Sequence, residues 1–159
     1  MQIYISKSGG NQMSEINLAD IRGDIEKLLK YIPWLESKSG ESVSKVYSDN
    51  NLANTSVPFP VYDSTLLSFV NEANATSLMD KNYVYVYSHH FIRDVEDEKK
   101  AIDEAGVKDG DVLCGILSKY ILSGMVKGNV WSLGVTEGIY LRVLKKMKSL
   151  LEIWDAPLA

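Results

Sequence analysis

The sequence predicts an α+β fold class: a helix-dominated single domain with a small β-sheet or hairpin and a helical hub in its C-terminal third. Three observations predict it. The stretch from Asp111 to Trp154 is apolar at helical spacing, Tyr83-Val84-Tyr85-Val86-Tyr87 alternates as a half-buried strand does, and amphipathic helical patterns recur upstream. In the hub, Val112, Leu113, Ile116, Leu117, Tyr120 and Ile121 line one helix face. After a Gly-containing turn, Leu133, Tyr140, Leu144, Met147, Leu151 and Trp154 recur every three to four residues, with a longer gap around 136–138; Val143 and Leu150 widen the stripe. Two helices this apolar must bury against each other and against further elements.

Size and charge bound the class. A chain of 159 residues, 45% hydrophobic and 24% charged, suits one domain with its own core. No apolar run approaches the roughly 20 residues of a membrane-spanning helix, so no membrane partner is expected. The opening MQIYISKSGG lacks the basic-then-apolar pattern of a secretory signal. The single cysteine, Cys114, has no partner for an intrachain disulfide, and a reducing cytoplasm is the expected compartment. Asn54-Thr55-Ser56 and Asn74-Ala75-Thr76 fit the glycosylation sequon, but without an export signal the match carries no weight. A net charge of −4 argues against broad, sequence-independent nucleic-acid binding.

In chain order, residues 1–13 are expected as an accessory N-terminal segment, strand-like at Gln2 to Ile5 and with Met13 as an alternative start, ahead of a single globular domain over 14–159. Asn17 caps a helix whose apolar positions are Leu18, Ile21, Ile25, Leu28, Leu29 and Ile32, and Pro33 ends it. Val43 to Tyr47 reads as a short strand and 48–56 as an exposed loop. Val57 to Tyr62 is extended by its prolines, and Asp63 caps a helix carrying Leu66, Leu67, Phe69, Val70 and Ala73. The tyrosine–valine strand over 83–87 follows, closed by Ser88-His89-His90. A charged helix over 93–105 turns Val95, Ala101, Ile102 and Ala105 inward.

Three patches together resemble an uncharacterised family of bacterial and phage proteins, a domain of unknown function: Ile32-Pro33-Trp34-Leu35, Pro58-Phe59-Pro60-Val61-Tyr62, and the helical region from Leu113 to Lys148. Gly128, Gly138 and Leu144-Lys145-Lys146-Met147-Lys148 fit the family's outline, whereas Ser123-Gly124-Met125-Val126-Lys127 lacks its arginine-rich turn. The resemblance implies a shared fold and assigns no activity.

Few residues offer chemistry. His89 and His90 are the only histidines, and adjacent side chains diverge on a strand or a helix. A metal site would therefore need one of them with carboxylates such as Asp94 or Glu96, and catalysis would draw on Ser88, His89 and His90. The plainer reading is a strand terminus with one packed and one solvated histidine. Cys114, among apolar neighbours, reads as an inert core thiol. Arg142, Lys145, Lys146 and Lys148 give the last helix a basic side, which invites a helix-turn-helix DNA-binding reading. Against it, the recognition segment from Val130 to Glu137 carries no Arg or Lys. Tyr83, Tyr85 and Tyr87 suit either a protein partner or burial under a helix. The acidic run Asp94, Glu96, Asp97, Glu98, Asp103, Glu104 suits a solvated helix or a basic partner.

There is no phosphate loop, zinc-ligand spacing or nucleophile elbow, and no motif calls for a cofactor. The leading expectation is a small non-catalytic interaction or regulatory protein of phage or mobile-element type that binds and inhibits a macromolecular partner such as a host defence nuclease. The alternatives are a DNA-binding protein and a metal-dependent His/carboxylate enzyme. The sequence leaves the oligomeric state open.

Overall fold

The computed structural model describes residues 16–38, 44–46, 60–127 and 129–156. The expected accessory segment over 1–13, the loop over 48–56 and the first residues of the proline-rich stretch lie outside the described residues. The described elements are a 3-10 turn at Leu18–Ile21, then α1 (Arg22–Leu29), α2 (Ile32–Lys38), β1 (Ser44–Val46), β2 (Pro60–Tyr62), α3 (Ser64–Asn74), α4 (Tyr83–His89), α5 (Val95–Glu104), α6 (Gly110–Ser123), α7 (Val130–Thr136) and α8 (Ile139–Asp155).

The α+β expectation is overturned: helices build the domain. β1 and β2 pair antiparallel over three residues each, with Ser44 opposite Tyr62, a local contact rather than a sheet layer. The decisive correction is at 83–87, where the expected strand is helix α4. Its burial follows a helical period, since Tyr83, Val86, Tyr87 and His90 are the residues turned inward while Val84, Tyr85, Ser88 and His89 are exposed. A strand there would need a neighbour to satisfy its N–H and C=O groups, and among the described residues no strand pairs with 83–87. A helix satisfies those groups within its own segment and still lays one stripe on the core.

α6 is the axis of the domain. Valine, leucine, isoleucine, cysteine and tyrosine side chains are buried around its circumference, with Gly115 and Ser118 between them. A helix apolar all round must be enclosed, and α3, α4, α5, α7 and α8 all pack on it. The approach of α4 is set by Gly115, where an added Cβ would sit 2.8 Å from Val86 Cγ1. Ser118 is buried too, but its hydroxyl accepts from Asp80 N–H at 2.7 Å and donates to Cys114 O at 2.6 Å, so burial leaves it satisfied.

The second helix expected in the hub is two, α7 and α8. The chain breaks at Gly138, whose φ of 75° is left-handed, the region glycine enters without steric cost. α8 then buries Tyr140, Val143, Leu144, Met147 and Leu151 against α1, α2, α5, α6 and α7. The ring of Tyr140 meets Phe69 at 4.9 Å and Tyr120 at 6.0 Å, and Phe69 meets Tyr31 edge-on at 5.2 Å. These aromatic contacts join α3, α6 and α8 at the centre. Leu133 and Trp154, both expected inside, are exposed.

At the N-terminal end the expected helix to Ile32 divides. The 3-10 turn is capped by Asn17, whose Oδ1 accepts from Ala19 N–H at 2.9 Å. α1 ends at Leu29, and Pro33 lies in the first turn of α2, where its missing N–H costs no helical bond. Asp63 caps α3, accepting from Thr65 N–H at 2.7 Å.

Candidate interaction surface

The α4–α5 corner gathers most of the residues that the sequence singled out. α4 closes in a Schellman arrangement: Phe91 N–H bonds Ser88 O at 3.3 Å and Ile92 N–H bonds Tyr87 O at 2.9 Å. The position past the cap must be left-handed and is usually glycine. Here it is Phe91, at φ 56°, with its side chain in solvent. Phe91 is 77% exposed, Val84 65% and Tyr85 42%, which makes the outer face of α4 and the corner after it apolar and aromatic. The His89 ring stacks on Tyr85, with centroids 5.5 Å apart and planes 13° from parallel.

The first turn of α5 adds carboxylates immediately beyond this face. Asp94 caps the helix by accepting from Asp97 N–H at 2.8 Å. Asp97 accepts from the Arg93 backbone N–H at 3.0 Å and from Arg93 Nε at 3.3 Å. Those contacts, the backbone bond foremost, hold its carboxyl below the usual carboxylate value. The Glu96 side chain is 84% exposed and lies 3.8 Å from Lys99.

Glu98 differs from the rest of the acidic run. It is 1% exposed. Its carboxylate accepts from Tyr87 Oη and Tyr120 Oη, each at 2.6 Å, and pairs with Lys119 Nζ at 3.2 Å. The Lys119 ammonium also lies 4.4 Å from the Tyr120 ring centroid. Burial, then the bond to Glu98, pushes both phenols well above their ordinary pKa. This network ties α4, α5 and α6 together and is structural. Val95, Glu98, Ile102 and Ala105 share one helical spacing, a signal that places Glu98 inward only once α6 is seen to pack on that stripe. Phe91 had no such signal, because its role depends on α4 being a helix.

The two histidine rings meet edge-on, with centroids 5.0 Å apart. His89 is on the exposed face, whereas His90 turns in and places Nε2 3.3 Å from Asp111 Oδ2. Ser88 is exposed on the outer side of α4. Among the described residues no three His, Cys, Asp or Glu side chains gather as metal ligands. Cys114 is buried, and burial pushes its thiol up to about 12, away from the reactive thiolate.

The basic side of α8 faces acceptors on its neighbours, two carboxylates and one backbone carbonyl. Arg142 Nη1 bonds both oxygens of Asp103 at 2.8 Å, Lys146 Nζ donates to Asp103 O at 2.8 Å, and Lys145 Nζ lies 2.9 Å from Glu36. These pairs tie α8 to α5 and α2.

No protein-family model, curated protein or solved structure matches the chain. The likeness drawn from residues 32–35, 58–62 and 113–148 therefore carries no argument further, and function must be read from the surface. Among the described residues no helix is long and apolar enough to cross a membrane.

Proposed function

We propose that the protein is a non-catalytic binding module whose contact face is the outer side of α4 with the corner at Phe91 and the first turn of α5. One observation carries the reading: Phe91 holds a left-handed backbone that costs a non-glycine residue about 1 kcal/mol or more, while its ring is 77% exposed. The Schellman bonds and the burial of Ile92 offset that cost, but they call for no side chain at this position, so the exposed ring points to a role outside the chain. Val84 and Tyr85 extend the face, and tyrosine suits such contacts by joining apolar area to a polar edge.

The charge beside the face names the partner's chemistry. Asp94, Glu96 and Asp97 border the corner, so the complementary surface is a protein segment with an apolar centre and a basic rim. Enzymes that handle nucleic acid carry basic surfaces of this kind, and inhibition of a nuclease by occupying one is the specific form of this reading.

Selection of displayed random peptides on the full chain tests it. Enriched binders are expected to combine aromatic or aliphatic residues with Lys or Arg. Their binding should fall in Val84→Glu, and their preference for basic residues should weaken in Glu96→Lys. Binders without basic residues, or binders indifferent to both substitutions, would refute the assignment.

A further inference from the structure

We infer that the cleft between α5 and α8 binds a small molecule carrying a phosphate or diphosphate group. The cleft holds about 570 Å³, within the size range of small-molecule sites. Lys99, Arg142, Lys145 and Lys146 line it against two carboxylates, Asp103 and Glu137. A local excess of cations therefore gathers in one concavity of a chain whose net charge is −4.

Lys145 and Lys146 are held by Glu36 and by the Asp103 carbonyl, so Lys99 and Arg142 are the cations set to meet a ligand. Lys99 lies 3.8 Å from Glu96 and 3.9 Å from Glu137, beyond hydrogen-bond length, so turning its ammonium to an anion forfeits little. Arg142 meets Asp103 through Nη1 alone, which fixes the guanidinium at the wall while its remaining N–H groups are further donors. A dianionic phosphate suits such a set, because charge-assisted bonds to Arg and Lys are the strong ones. The intervening Asp103 and Glu137 oppose a long polyphosphate backbone, and this favours a compact ligand over duplex nucleic acid.

Titration of the full chain with sodium pyrophosphate at low ionic strength, read by calorimetry and by backbone amide NMR shifts, tests the site. Saturable binding is expected, with shifts centred on residues 99–103 and 137–149. Lys99→Gln and Arg142→Lys should each weaken it about tenfold, with thermal unfolding unchanged in Lys99→Gln, and Lys81→Gln, on the exposed turn before α4, should leave it as it is. Equal shifts with sodium sulfate at matched ionic strength, or no saturation, would overturn the proposal. So would tighter binding of a short DNA duplex that is lost in the same variants, which would assign the cleft to nucleic acid.

Discussion

Phe91 and Glu98 show how single residues divide between stability and recognition. Replacing Phe91 by glycine relieves the left-handed backbone and removes only an exposed ring, so Phe91→Gly should stabilise the domain by about 0.5–1 kcal/mol, read as a higher urea midpoint at an unchanged slope. Phe91→Ala keeps the backbone cost and should be near neutral. A loss above about 1 kcal/mol in Phe91→Ala would show that the ring packs, and the recognition reading would lose its main support. Glu98 behaves in the opposite way. Glu98→Ala leaves two buried hydroxyls and Lys119 without their acceptor and should cost about 3 kcal/mol, while Glu98→Gln, which keeps an acceptor oxygen, should cost less. Denaturant unfolding ranks the two, and equal losses would show that the site requires the carboxylate charge and that a neutral acceptor does not substitute for it. A glutamate on a mostly polar helix reads as solvated until its register with Val95 and Ile102 is set against a buried α6.

Among elements, the packing of α4 on α6 decides the architecture, and it turns on a single missing methyl. Gly115→Ala would place Cβ 2.8 Å from Val86 Cγ1 and push the helices apart, at a cost of about 1–3 kcal/mol. Pairing it with Val86→Ala should recover part of that loss in a double-mutant cycle. Strict additivity would show that the two helices do not meet there. The same contact explains why 83–87 is a helix although its alternation fits a strand. Tyr83 to Tyr87 satisfies a two-residue and a helical period at once over so short a span, because five residues barely complete one helical turn. What separates the readings is a surface waiting for Tyr83, Val86 and Tyr87 on one side, and that surface belongs to α6. The caps at Asn17, Asp63 and Asp94 are local by nature, since side chain and amide lie two or three residues apart. Asn17 and Asp63 were accordingly readable from sequence.

For the whole molecule, buried protonated groups set the alkaline limit. Burial raises the Cys114 thiol to about 12, and burial with Glu72 raises Tyr31 to about 12. Tyr87 and Tyr120 are raised further, by burial first and Glu98 second. In the unfolded chain the thiol titrates at about 8.5 and the phenols at about 10. Above those values the folded state keeps protons that the unfolded state has released, so the stability these groups contribute is complete below them and falls as pH rises. Unfolding midpoints should start to drop above about pH 8.5–9 and fall more steeply above about 10, with Tyr87→Phe flattening the steeper limb. A midpoint constant to about pH 11 would contradict the buried network.

By itself the sequence determined the local grammar of this protein: helix caps at Asn17 and Asp63, the apolar stripes of α1, α3, α6 and α8, and the absence of any run fit to span a membrane. Each depends on residues within a turn or two of one another. Only the tertiary structure decided that Tyr83–His89 is a helix, that Glu98 is enclosed, that the basic side of α8 faces α5 and α2, and that Phe91 stands in solvent on a strained corner. Those outcomes depend on which surface arrives from a distant part of the chain, because burial and pairing are properties of two elements and periodicity is a property of one.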